Sequence, residues 1–227
     1  MGGNTSQRLI TPVANNLEKY YTYREYISRY NRAMKEAFYF EALLIDYAIL
    51  EDRLRSFLYH MGALKNRKST SIDCQKTRGL LKQIVNDYSE KNESKNLGIS
   101  SITGKMRVVR CVAMWASTVS QISLDNKYGI VLKCRMEDID IDRLLGTLTE
   151  IHEWCQYRNE IIHCLLNKNT DSVSSNIVEQ AAKGFFLARE LDVQIREFKR
   201  GNIIRKKLNL PTERAAKIPA GNLKELS

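Results

Sequence analysis

The stretch IDRLLGTLTEIHEWCQYRNEIIHCLL, residues 141–166, decides how the rest of the chain is read. Ile141, Leu144, Leu148, Ile151, Cys155, Arg158, Ile162 and Leu165 recur at steps of three and four. Such steps lay an apolar stripe along an α-helix, whereas a strand alternates every second residue. The pattern predicts one helix over residues 140–167. Seven of the eight seam positions suit a bundle core, and the eighth is arginine. An unpaired guanidinium is costly to bury. Arg158 must therefore open to water, to an acid or to an anionic ligand.

The same periodicity recurs on both sides. Phe40, Leu43, Tyr47, Leu50, Leu54, Phe57 and Met61 repeat it, and Ala42, Ile45 and Ile49 form a second strip. One long helix over residues 32–61, central in a bundle, is the expectation. Gly62 and the polar run 65–71 end it, with Ser71 or Asp73 to cap the next helix, which carries Leu80, Leu81, Ile84, Val85 and Tyr88. Residues 89–105 read as a loop, followed by a helix through Val108, Cys111, Val112, Trp115, Val119 and Ile122. Residues 124–135 are irregular. Their piece 128–133 suits a short strand, but loop is favoured because no partner strand is evident. A last long helix is expected over 173–199, and a short one over 13–26. Their sum is an all-α protein: an up-and-down bundle of five to six antiparallel helices with a shared core.

Composition agrees. The 227 residues contain only 3 Pro and 11 Gly, too little punctuation for a many-turned β architecture. Hydrophobic residues are 43% and charged residues 27%, which excludes a wholly disordered chain. No apolar run approaches membrane-spanning length, so no membrane partner is expected. No signal peptide is read either, and the five cysteines contain no CxxC pair. Reduced thiols in a cytoplasmic protein follow. The opening Met1-Gly2-Gly3-Asn4-Thr5-Ser6 fits the short myristoylation pattern, which chance alone often produces.

Positive charge is uneven. The chain has 36 Lys and Arg against 26 Asp and Glu. Eight of the basic residues and two of the acids lie between Lys199 and Ser227, six of the surplus of ten. We expect a single helical domain over residues 1–200 and a basic, loosely ordered tail over 201–227. The tail suits a phosphate-binding arm or a solvated extension equally.

The chemistry concentrates late in the 140–167 helix. At 100° per residue, His152, Asn159 and His163 fall within about 40° of one another. Arg158 and His163 are five apart, so their Cα–Cβ vectors diverge by about 140°. On residue types alone, a buried ion pair accounts for Arg158. Other constellations are weaker. Glu137, Asp138, Asp140 and Asp142 read as acids at a helix N-terminus rather than a metal site. His152 with Cys155 and Cys164 lacks a zinc-like spacing. His60 reads as a helix-end residue.

The segment Tyr157-Arg158-Asn159-Glu160-Ile161-Ile162-His163 resembles the signature of HEPN-domain proteins: Arg, a polar residue, three more residues, then His. The motif of that family sits late in an α-helical bundle, after an early long helix like residues 40–58. The resemblance implies a metal-independent endoribonuclease with no cofactor, acting on RNA as a homodimer whose two motifs meet at a shared cleft. A toxin–antitoxin or antiviral defence role is implied, with a cognate antitoxin or nucleotidyltransferase partner. Carried over by position, Arg158 and His163 would be catalytic and Asn159 would orient the site. His152, Asp46, Glu51 and Asp52 lie outside the matched motif, as supporting groups only. Some members carry, two residues after the histidine, a tyrosine that the partner nucleotidyltransferase modifies; here that position is Leu165. The alternative is a non-catalytic helical module that binds RNA or protein.

The residue types fit that chemistry. RNA carries its own nucleophile, the 2′-OH. Histidine, whose ordinary pKa is near neutrality, can take that proton or give one to the leaving 5′-oxygen. A fixed guanidinium can stabilise charge on the phosphorane oxygens. One histidine does not easily do both proton transfers, so a two-fold pair of His163 side chains has a rationale.

Overall fold

The computed structural model describes residues 17–120, 125–167 and 176–212. Among them, regular structure is helical: α1 Leu17–Lys35, α2 Tyr39–His60, α3 Gln75–Tyr88, α4 Ile102–Thr118, α5 Lys127–Glu137, α6 Ile141–Asn167, α7 Ile177–Lys199 and a short α8 Ile203–Lys207. One isolated bridge pairs Ser71 with Gly98. The protein is an all-α helical bundle. No helix among the described residues is long and apolar enough to cross a membrane.

α2 is the centre. Ala42, Leu50, Leu54, Phe57 and Leu58 have no exposed surface, and α2 packs most extensively on α7. These two run in the same direction. Arg53 meets Asp192 at 2.8 Å, the Phe57 and Phe198 rings stack at 4.4 Å, and His60 faces Asn202 at 3.2 Å. α1 and α2 run antiparallel: Tyr23 donates to Asp52 at 2.5 Å, and Arg29 pairs with Glu41 at 3.2 Å. At Gly184 α7 lies close against Trp154 of α6 and Asp46 of α2. A Cβ there would lie 2.6 Å from the Trp154 ring and 2.7 Å from Asp46 Oδ2, so only glycine permits the approach.

Buried cations tie the bundle together through carboxylates and backbone carbonyls. Arg53 is fully buried, holds Asp52 at 2.6 Å as well as Asp192, and stacks on Tyr23 at 4.5 Å. Burial works against its charge, but Tyr23, Asp52 and Asp192 outweigh that and keep it protonated. Arg205 is also fully buried. It donates to the carbonyls of Tyr59 and Leu64 at 2.9 Å and of Lys65 at 3.1 Å, so it caps the C-terminus of α2. Arg135 does the same for α7 through the carbonyls of Glu197 and Phe198, both at 2.6 Å. Lys105 Nζ joins Glu51 at 2.8 Å and the Ser100 and Ser101 carbonyls.

Several expectations need correction. The single helix over residues 32–61 is two helices. α1 ends at Lys35, Ala37 adopts φ 62°, and the Phe38 N–H closes onto the Ala33 carbonyl at 2.8 Å. This is the left-handed helix stop usually made with glycine. The N-terminal helix is correspondingly longer than residues 13–26. Within the stretch read as loop or strand, residues 127–135 are helical: α5 starts at Lys127, with the Asn126 side chain accepting from the Gly129 N–H at 2.6 Å. α4 starts before residue 105, capped by Ser101. α3 uses neither Ser71 nor Asp73 as its cap; it starts after Cys74.

The tail expected to be loose from residue 201 is ordered over its first part. α8 docks through Arg205 and the buried Ile204 and Leu210. The remaining tail residues, 213–227, and the opening hexapeptide lie outside the described residues. The four cysteines whose side chains are described are free, and three of them, Cys74, Cys111 and Cys155, are buried.

Candidate active site at the end of α6

α6 spans the predicted length almost to the residue. Its buried stripe runs through Leu144, Leu148, Ile151 and Cys155, as the seam predicts, but also through Trp154 and Ile161. Trp154 is fixed by donating its indole N–H to the Gln180 carbonyl of α7 at 2.8 Å. Because the core takes Trp154 and Ile161, Arg158 is left at the margin, half-buried.

The partners of Arg158 differ from those of the other buried cations. Its guanidinium carbon lies 4.1 Å from the centroid of the Tyr47 ring on α2. One Nη donates to Asn159 Oδ1 at 3.0 Å. Its Nε is buried and makes no hydrogen bond with a described residue. No described carboxylate forms an ion pair with it. The ion pair that would explain Arg158 on structural grounds alone is therefore absent among the described residues.

His163 and Asn159 are exposed on the outer face of α6, and His152 is exposed on the same face two to three turns earlier. This is the alignment expected from 100° per residue. No hydrogen bond joins Arg158 to His163. Within one chain the guanidinium turns towards α2 and the imidazole stays in solvent. His152 is hydrogen-bonded to Gln156 at 3.0 Å and borders a groove of about 240 Å³, together with Arg107 and Arg110 of α4. The carboxylates of Glu90 and Glu93 already hold Arg110. His60 ends α2, and burial lowers its pKa to about 3, with the neighbouring Arg67, Lys199 and Arg205 also acting against its charge and only Asn202 acting in favour.

None of the three acids set aside as supporting groups bonds to Arg158 or His163. Glu51 is held by Lys105, with Arg55 Nη at 3.5 Å. Asp52 belongs to Tyr23 and Arg53. Asp46 is fully buried against Gly184 and Trp154, and neither of its oxygens has a hydrogen-bond partner among the described residues. Burial alone drives its pKa well above the usual carboxylate range, which favours the protonated form.

Tyr47 is the site residue that the sequence reading did not single out. It appeared only as one seam position of seven. No local pattern announces that an aromatic on one helix will lie under a cation on another. Around it, Cys155 is raised to about 11 by burial, an effect Arg158 partly offsets. The Tyr47 phenol is raised by burial and then by Glu51, again against Arg158. Among the described residues no group of three or more His, Cys, Asp or Glu is placed to hold a metal ion. Compared with known proteins, the chain matches no protein-family model, no curated protein and no solved structure.

Proposed function

We propose that this protein is a metal-independent endoribonuclease of HEPN type that acts as a homodimer in a toxin–antitoxin or defence role. The observation that carries the reading is a half-buried arginine held by two neutral partners, Tyr47 and Asn159, at the margin of the core, five residues before an exposed histidine. A structural arginine is normally paired with carboxylates or carbonyls, as Arg53 and Arg205 are. No described carboxylate cancels the charge of Arg158, and the stabiliser of an anionic transition state needs its charge free.

In this reading the RNA 2′-oxygen attacks its own phosphorus and the bond from phosphorus to the 5′-oxygen breaks. The proton leaving the 2′-OH goes to one His163, and the His163 of the second copy protonates the 5′-oxygen. The ends are a 2′,3′-cyclic phosphate and a 5′-OH. Arg158 faces the non-bridging oxygens. The divergence of Arg158 and His163 on one helix fits this arrangement, because a two-fold axis beside the last turns of α6 can bring one copy's histidine to the other's arginine.

The alternative is a helical module that binds RNA or protein without cleaving. The test incubates purified protein with structured RNA in EDTA. Cleavage that persists, leaves cyclic phosphate ends and disappears in both Arg158→Ala and His163→Ala supports the enzyme. RNA binding without cleavage, unchanged in both variants, supports the module.

A further inference from the structure

The geometry points to Tyr47 as a positioning residue for Arg158, an inference that rests on the ribonuclease reading above. A guanidinium stabilises a pentavalent phosphorus only when its forked donors are presented in a fixed direction. An arginine side chain is long and rotamer-rich, so something must hold it. The usual anchor is a carboxylate, which would also cancel the charge that the transition state needs. Here the anchor is a ring face. Tyr47 lies under the guanidinium with 4.1 Å from centroid to Cζ, and the quadrupole of an aromatic ring attracts a cation without neutralising it. Asn159, the second partner, is also uncharged.

The surroundings point the same way. Leu43 and Leu50, one turn to either side of Tyr47, are buried in the core and fix the α2 backbone at this level. Glu51 is the carboxylate one turn further along α2 and the obvious competitor for Arg158. It is tied instead to the buried Lys105, whose Nζ is also held by the carbonyls of Ser100 and Ser101. The Tyr47 hydroxyl makes no hydrogen bond with a described residue, so the phenol oxygen does not explain an aromatic here; the ring does. In a seam otherwise built mostly of Leu and Phe, a half-buried tyrosine at the core margin is suited to carry a cation on its face.

The test compares Tyr47→Phe with Tyr47→Leu in the full chain, using RNA cleavage in EDTA and the arginine Nε–Hε NMR spectrum. Tyr47→Met, which is unbranched and adaptable, serves in place of the leucine variant if the latter fails to fold. The phenylalanine variant should cleave like wild type. The leucine variant should lose roughly 10- to 100-fold in kcat with little change in KM. The Arg158 signal, identified by its absence in Arg158→Ala, should be ring-shifted upfield in wild type and Tyr47→Phe and return to the ordinary arginine position in Tyr47→Leu. An active wild type whose leucine variant keeps full kcat overturns the positioning role and leaves the ribonuclease reading intact. A phenylalanine variant as impaired as the leucine one also overturns it, because the hydroxyl would then be the working group. A wild type that leaves RNA uncut defeats both, and an Arg158 signal that stays ring-shifted in that case shows that the stack exists without that chemistry.

Discussion

The parallel seam between α2 and α7 and the last turns of α6 treat arginine in opposite ways. Along the seam, Arg53 has no exposed surface and two carboxylates, and Arg205, just beyond, has a set of backbone carbonyls. On α6, Arg158 is half-buried and rests on an aromatic ring and an amide. Within a single bundle, the first arrangement serves cohesion: the charge is consumed by the fold. The second holds the side chain with no described carboxylate on its charge, as the proposed anion-handling role requires. The contrast also shows why a seam position occupied by arginine is uninformative until its partners are known.

The largest effect should come from the closed region. Arg53→Ala leaves the buried Asp192 with Arg196 alone, takes one partner from Asp52 and empties a fully buried site, and should lower stability by about 3–5 kcal/mol in urea denaturation. A loss below about 1 kcal/mol would mean that the seam is not held as described. Arg205→Ala removes the cap of α2 together with its stack on Tyr59 at 3.8 Å. It should cost roughly 2–3 kcal/mol through unsatisfied buried carbonyls, and chain 200–212 should become open to protease before the bundle unfolds.

The same region also holds Asp46, a buried acid without a hydrogen-bond partner among the described residues. Its folded-state pKa is raised by burial above the unfolded value. The sign follows from linkage. Below the unfolded-state pKa both states hold the proton and there is no penalty. As the pH rises towards the folded-state value, the unfolded state alone releases its proton and stability falls. The fall is about 1.4 kcal/mol for each pH unit between the two values. Asp46→Asn should abolish this decline, so urea midpoints of wild type and variant converge near pH 4 and separate near pH 8. Parallel curves over that range would show that Asp46 has an acceptor or donor beyond the described residues.

The smallest expected change is at the α1–α2 turn. Ala37 sits at φ 62°, where a Cβ is strained. Ala37→Gly should stabilise the protein by about 0.5–1 kcal/mol in the same assay, less any entropy gained by the unfolded chain. Destabilisation instead would place the turn elsewhere.

That turn also marks where the sequence stops being readable. Two helix ends use the same left-handed stop. At the end of α2 the residue is Gly62, at φ 84°, and the boundary is plain in the sequence. At the end of α1 it is Ala37, and nothing local distinguishes it from a helical alanine, so the two helices read as one. α5 was hidden for another reason. Its Tyr128-Gly129-Ile130-Val131-Leu132 run favours a strand by residue type, but a side-chain cap from Asn126 and the burial of Tyr128, whose hydroxyl donates to the Met61 carbonyl at 3.1 Å, impose a helix. α6 was legible because its period persists over seven turns. The shared exposed face of His152, Asn159 and His163 followed from rotation alone. The place of Trp154 in the core and of Tyr47 under Arg158 depends on α7 and α2, and no pattern within α6 contains it.

One preparation of Arg158→Ala, divided between urea denaturation and RNA cleavage in EDTA, bears most directly on the account. Losing a ring contact at a half-buried margin should shift stability by no more than about 1 kcal/mol, while cleavage falls to background. A midpoint that drops as far as that of Arg53→Ala, with cleavage unchanged from wild type, would make Arg158 one more structural cation and contradict the account.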